Sequence, residues 1–210
     1  VPIGSLALRV AWASAFATAG ALGFVFLATL RTVGCVGITD GRVASALALV
    51  TTWSVASTHA WWFQAVRPEV YGLAALALAI CLERLTAWLS SPTKDPRILY
   101  TASVALGLGL ANHHLLALML LPVAVPLFIR RVGGARSLLR CTAATLVGCA
   151  TYVYLPIRAA RAPIVNLGVP NSLERFLWVV SARAFQKNTG SNLPQPLGER
   201  SADVIVQLVA

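Results

Sequence analysis

Apolar residues in this chain gather in long uncharged runs and not in the short periodic stripes of a soluble fold. The runs are Val10–Leu30, Val43–Val66, Val70–Leu82 (reaching Leu89 past the pair Glu83–Arg84), Tyr100–Ile129 and Cys141–Ile157. Several approach the roughly 20 residues that span a bilayer as helix. The pattern predicts an all-α integral membrane protein, a polytopic helical bundle. The first run is rich in Ala and Gly, which lets helices approach closely. "RTVGCVGITDGR" after it reads as a loop. In "STHAWWFQAVRPE", Trp61 and Trp62 suit a membrane interface, Pro68 suits a first helical turn, and Glu69 suits the positive end of a helix dipole.

The run from Tyr100 to Ile129 breaks the pattern by carrying Asn112, His113 and His114 near its middle. As one helix it would measure about 45 Å against about 30 Å of hydrocarbon. Charge chooses between a tilted crossing and a hairpin. The following "RRVGGARSLLR" has four arginines and no acid, a strong cytoplasmic signal. If two short helices meet at Asn112–His114, the basic loops Arg31–Arg42, Ser90–Arg97 and Arg130–Arg140 all share that side. A single crossing would split them. The hairpin is therefore expected, giving about six membrane helices. Arg9, the Arg67–Glu69 corner, Asn112–His114 and the segment after Ile157 then lie on the extracytoplasmic side. Irregular backbone at such depth is tolerated where it lines a wet cavity.

Composition sharpens this picture. Of 210 residues 58% are hydrophobic and 11% charged, against about 25% charged in soluble domains. One soluble core could not hide so much apolar surface. The net charge of +10 does not indicate nucleic acid, because the basic residues sit between apolar runs and form no stripe with interleaved aromatics. Cys35, Cys81, Cys141 and Cys149 form no Cys-x-x-Cys pair and read mostly as small apolar packers. The chain begins at Val1 and stops inside a new apolar stretch, so it reads as an interior fragment.

The organisation expected is a polytopic membrane region over 1–157, an extracytoplasmic polar segment over 158–204, and the start of another helix over 205–210. The polar segment holds an amphipathic helix near 172–185, with Leu173, Phe176, Leu177 and Val180 at helical spacing, a cap at Asn171 or Ser172, and Trp178 suited to a membrane surface.

Four polar features converge on the outer side in this topology. "AVRPEVYGL" offers Glu69 and Tyr71, although a helix-start glutamate explains Glu69 equally well. "ANHHL" offers Asn112, His113 and His114 for contact with an anionic substrate, against a simple polar turn. Adjacent histidines on a helix point about 100° apart and no acid follows at ligand spacing, so a metal site is weakly indicated. No cofactor is specified, and a divalent metal stays open. "YVYLPIRAARAP" offers Arg158 and Arg161, whose guanidinium forks match phosphate oxygens, against snorkelling at a helix end. "NLGVPNSLERFLW" adds Asn166 in a shaped loop.

The ordered set "GSLALRVAWASAFATAGAL", "FQAVRPEVYGLAAL", "GLGLANHHLLALMLLP", "YVYLPIRA" and "NLGVPNSLERFLWVVSARAFQ" resembles a multi-pass family. That family groups bacterial proteins of once-unknown function with the vertebrate transmembrane O-mannosyltransferase of receptor ectodomains. The similarity runs from about Ile3 to Gln186. The resemblance implies a GT-C type bundle and transfer of mannose or a similar hexose. The donor would be a polyprenyl-phosphate-linked sugar and the acceptor a protein or lipid, on the extracytoplasmic side of a membrane, here a bacterial inner membrane. It implies that Glu69, Asn112, His113, Arg158 and Asn166 surround the cavity. It also implies that the catalytic acid lies in an outer loop upstream of Val1, so the fragment alone is expected to be inactive. Relatives tend to carry Asn-Trp-Gly-Asp-Pro where this chain has Asn166-Leu167-Gly168-Val169-Pro170, which removes an acid at Val169. The alternative is a transporter or flippase of a lipid-linked or small polar substrate. Against it, the chain shows one broken run and no internal repeat.

Overall fold

The computed structural model describes residues 4–122, 125, 134–163, 166 and 168–183. Every regular element among them is helical: α1 (Leu6–Cys35), α2 (Gly41–Ala56), α3 (His59–Val66), α4 (Tyr71–Ser90), α5 (Pro96–Leu118), α6 (Ala135–Cys149), a 3₁₀ turn (Ala150–Val153), α7 (Tyr154–Ala159) and α8 (Leu173–Val180). The chain separates into two compact units, 1–151 and 152–210.

In the first unit the interior is small and the exterior is large. Buried positions include Ala17, Ala21, Ala48, Ala74, Ala102, Ala105 and Ala117, with Ser14 and Thr18 among them. Trp12, Phe16, Leu49, Val50, Trp53, Leu139, Leu146 and Val147 are exposed, Trp53 by 75%. A surface this apolar is untenable in water, whereas in lipid small residues at the interfaces are what let helices pack. The protein is an integral membrane protein. Among the described residues three helical stretches, Leu6–Cys35, Tyr71–Ser90 and Ala135–Ala159, are long and apolar enough to cross a bilayer. The other expected spans are shorter: α2 has 16 residues, and α5 is interrupted.

The interruption is at His113, whose φ of −153° and ψ of 88° leave the helical region. A straight helix would separate residues 109 and 117 by about 12 Å. Instead, a Cβ on Gly109 would stand 3.5 Å from that of Ala117, and Leu120 packs on the cluster Cys81, Ala102 and Ala105. The chain therefore doubles back after His113, with two helical arms meeting where Asn112–His114 predicts. The contacts of α6 agree. Arg140 reaches the Tyr100 hydroxyl at 3.4 Å and Gly148 lies against Gly107, so α5 and α6 run in the same direction from the same end. By residue 134 the chain is back at the end that α5 started from.

α1 and α4 also run parallel, joined by Ser14–Glu69 near one end and Arg31–Glu83 near the other. The end with Arg31, Lys94, Arg97 and Arg140 is therefore opposite the end with Glu69 and His113. The described residues of the three basic loops share one end of the bundle.

Two local expectations need correction. The run Val43–Val66 is not one helix. It breaks at Ser57 and Thr58, because the Thr58 hydroxyl accepts from the Trp61 N–H and starts α3 afresh. Nor do Pro68 and Glu69 open α4, which starts at Tyr71 without a side-chain cap. Arg67, held extended by the following proline, leads into a tight turn in which the Glu69 N–H donates to the Arg67 carbonyl at 2.9 Å. α1 is longer than its apolar run, reaching Cys35, and Asp40 caps α2 through the N–H groups of Arg42 and Val43.

Glu83 is the one large side chain fully buried among the described residues. Its carboxylate accepts from the Arg31 Nε at 2.8 Å and from the Arg84 Nε. A buried carboxylate is tolerable only when so paired. Arg31→Ala is expected to cost about 1–3 kcal/mol, the cost of an under-satisfied buried group. Thermal unfolding in detergent checks this, and the penalty should shrink in a Glu83→Gln background where no charge is left unpaired.

Candidate functional site

The turn before α4 is pinned from two sides. On α1, the Ser14 hydroxyl donates to the Glu69 carbonyl at 3.2 Å and the Thr18 hydroxyl to the Ser14 carbonyl at 2.6 Å. Gly72 allows this approach, since a Cβ there would lie 2.9 Å from the Ser14 carbonyl oxygen. On α5, the Asn112 amide donates to the Val70 carbonyl at 2.8 Å. That carbonyl and its neighbour are backbone acceptors at a helix start, and their bonds fix the turn between α1 and the hairpin crest.

Side chains then gather at the same end. The Glu69 carboxylate pairs with Arg67 Nε at 3.3 Å, and the Arg67 guanidinium lies 4.4 Å from the Phe63 ring centroid. Both charges are partly exposed, so this pair orients more than it stabilises. The Tyr71 and His113 rings are 5.3 Å apart and those of His113 and His114 6.4 Å apart. His113 also serves the fold, because its Nδ1 accepts from the Leu116 N–H at 3.4 Å and so caps the returning arm. With Nδ1 accepting, the neutral ring carries its proton on Nε2, a donor for an oxygen ligand. Glu69, Tyr71, Asn112, His113 and His114 are thus brought together at one end of the bundle. Chemically the group offers a carboxylate, a phenol, an amide, two imidazoles and a guanidinium, a set suited to hydroxyls and to a phosphate.

Arg158, Arg161 and Asn166 belong to the second unit. Arg158 is in the last turn of α7, and the Arg161 N–H donates to its carbonyl at 3.1 Å. Both arginines are exposed. The Asn166 carbonyl accepts from the Val169 N–H at 3.4 Å in a loop where Gly168 has φ 72° and Val169 φ 42°. Gly168 is required, because a Cβ there would meet Val179 at 2.5 Å and Trp178 at 3.1 Å. A β-branched residue in the left-handed region is uncommon and strained, so Val169 is an awkward occupant of a position that Asp or Asn would take more easily. The helix expected near 172–185 runs from Leu173 to Val180, capped by the Ser172 hydroxyl. It leaves Leu173 and Leu177 exposed, and Tyr152 meets Phe176 edge to face at 6.4 Å. The expected helix start over 205–210 lies outside the described residues.

Sequence reading missed Ser14 and Thr18, whose four-residue spacing in an Ala-rich span was the available signal. It also missed Gln64, and it places Trp61 only as a membrane-interface residue; the Gln64 Oε1 and Trp61 Nε1 are buried without a hydrogen-bond partner among the described residues. Among the described residues no three His, Cys, Asp or Glu side chains gather as metal ligands would.

No curated protein matches the chain, nor does any solved structure. One family does, over residues 1–135: it is described as the protein O-mannosyl-transferase TMEM260 N-terminal domain. Arg158, Arg161 and Asn166 lie beyond the matched residues.

Proposed function

The chain belongs to the TMEM260 N-terminal domain family, matched over residues 1–135, and on that premise we propose that it is the membrane portion of a glycosyltransferase of GT-C type. The family is named for protein O-mannosyl transfer. The reaction proposed moves mannose or a similar hexose from a polyprenyl-phosphate donor to a hydroxyl of a protein or lipid acceptor. The face used is the extracytoplasmic one, which by the charge rule is the end away from the basic loops. One observation carries the reading: in a chain of this family, Glu69, Tyr71, Asn112, His113 and His114 meet at one end, on a turn and a helix break that are both held by side-chain bonds. The family match gives the transport alternative no support.

Such a transfer needs the acceptor hydroxyl deprotonated as it attacks the anomeric carbon, the departing lipid phosphate stabilised, and water kept away. In the first unit His113, donating from Nε2, is assigned to the phosphate oxygens, and Glu69, Tyr71, Asn112 and His114 to the sugar and donor headgroup. In the second unit Arg158 and Arg161 are assigned to phosphate and Asn166 to the headgroup on their sequence motifs alone. The experiment is Arg158→Ala in the full-length protein, with labelled polyprenyl-phosphate mannose added to membranes. Transfer should be lost while insertion is unchanged. Wild-type turnover would remove Arg158 from the mechanism.

A further inference from the structure

α3, the short helix that leads into the Arg67–Val70 turn, carries a polar pair that the site described so far does not use. Trp62, Phe63 and Val66 are exposed, whereas Trp61, Gln64 and Ala65 are half-buried, and α3 packs chiefly on α1. Trp61 and Gln64 stand three residues apart, so their side chains are neighbours on one face of the helix. Each has one polar atom closed to solvent and without a hydrogen-bond partner among the described residues. The Trp61 Nε1 can only donate, and the Gln64 Oε1 can only accept. Polar groups nearby are engaged: Thr58 caps α3, Ser14 holds the Glu69 carbonyl, and Arg67 pairs with Glu69 and lies over Phe63.

A buried donor or acceptor left unpaired carries its full desolvation penalty, and hydrocarbon around a membrane helix offers nothing to relieve it. Phenylalanine and methionine would fill similar space without that penalty. A donor-only atom beside an acceptor-only atom is complementary to a group that accepts and donates at once, which a hydroxyl does. A carbonyl or a phosphate oxygen would leave the Gln64 Oε1 unpaired, and an ammonium would leave the Trp61 Nε1 unpaired. Neither side chain takes up a proton near neutral pH, so a hydroxyl held between them keeps its own. It is therefore not the acceptor hydroxyl, which must lose its proton as it attacks. The position in the fold agrees. Gln64 stands three residues before Arg67, whose Nε pairs with the Glu69 carboxylate at 3.3 Å, at the end where Tyr71 and His113 also gather.

We propose that Trp61 and Gln64 hold a non-reacting hydroxyl of the sugar being transferred and so select which sugar the site accepts, an inference that rests on the glycosyltransferase reading above. The indole N–H donates to the sugar oxygen, and the same hydroxyl donates to the Gln64 carbonyl. Both atoms are closed to solvent, so the sugar enters as α3 lifts from α1. A helix of 8 residues between the break at Thr58 and the extended Arg67 has a hinge at each end for such a movement.

The full-length protein in membranes is given polyprenyl-phosphate mannose or its monodeoxy analogues, each lacking one hydroxyl, and transfer is compared for the parent, Gln64→Met and Trp61→Phe. The parent should use at least one analogue about 100-fold less efficiently than mannose, because a site built to pair a hydroxyl rejects the sugar that lacks it. Against that analogue alone, discrimination should shrink to within about threefold in both variants, since neither retains the complete pair. Gln64→Met conserves length and bulk, so its melting temperature in detergent should equal or exceed the parent's once the unpaired acceptor is gone. Trp61→Phe trims the ring as well as the N–H, and Gln64→Met keeps the test decisive if that variant folds poorly. A buried water between the two side chains gives a different pattern: Gln64→Met melts below the parent and discriminates among the analogues as the parent does. That result would overturn the proposal, as would a parent that transfers mannose and every analogue alike. A parent that transfers no mannose would sink the glycosyltransferase reading itself, and this inference with it.

Discussion

Leucine in place of Gly148 is expected to prevent the first unit from holding α5 against α6. The two helices meet backbone to backbone: a Cβ on Gly148 would stand 2.8 Å from the Gly107 Cα and 2.8 Å from the Leu108 nitrogen, and a Cβ on Gly107 would stand 2.9 Å from the Gly148 Cα. These obstacles are main chain, so no rotamer change relieves them. Even one added methyl group forces the helices apart, and overpacking of this kind costs about 1–3 kcal/mol. A full leucine must also displace the Cys149 thiol from the Gly107 carbonyl, 3.6 Å away. Against a total stability of about 5–15 kcal/mol, Gly107→Ala should lower the melting temperature and Gly148→Leu should remove the folded population. Size-exclusion profiles and thermal unfolding in detergent check both. A Gly148→Leu protein that stayed monodisperse with an unchanged melting point would show that α5 and α6 do not meet here.

The second large effect concerns activity. His113→Asn in the full-length protein should lower sugar transfer by about 100-fold, the lower range for losing one hydrogen-bond donor aimed at developing negative charge. Asparagine retains an acceptor for the Leu116 N–H, so the cap of the returning arm survives. What disappears is the imidazole, with its Nε2 donor and its ring contact to Tyr71 at 5.3 Å. Equal melting temperatures with unequal turnover would locate the effect in the chemistry. Turnover within about threefold of the parent, well short of the loss expected for such a donor, would reduce His113 to a helix breaker. Asn112→Ala should behave differently, losing stability as well as rate, because its amide carries the 2.8 Å bond that ties the crest of the hairpin to the Val70 carbonyl.

Much of this architecture was legible in the order of residues. Three polar side chains in the middle of a run too long for one crossing, followed by four arginines, identify the reversal at His113. The same charge argument groups the basic loops, and the structure brings their described residues to one end. The gathering of Glu69, Tyr71 and Asn112–His114 follows once the reversal is granted. Other features depend on contacts that no local pattern announces. The break at Thr58 turns on one hydroxyl capping one N–H, inside a run whose composition suits a continuous helix. The turn at Arg67–Val70 holds Glu69 by Arg67 and by Ser14, fifty-five positions away, and not by the helix dipole that its place in sequence suggests. Glu83 looks in the sequence like a charged blemish in an apolar span. Its burial between Arg31 and Arg84 is visible only once α1 and α4 are known to run parallel.

Labelling of single cysteines with an impermeant thiol reagent, in a background lacking Cys35, Cys81, Cys141 and Cys149, addresses the fold-back most directly. Val70→Cys and His114→Cys should react from one face of the membrane, and Thr93→Cys and Ala135→Cys from the other. Intact cells and inverted vesicles supply the two faces. Modification of positions 93 and 135 from opposite faces would mean that the chain crosses once between them. The doubling back at His113, and with it the shared polar end, would then be wrong.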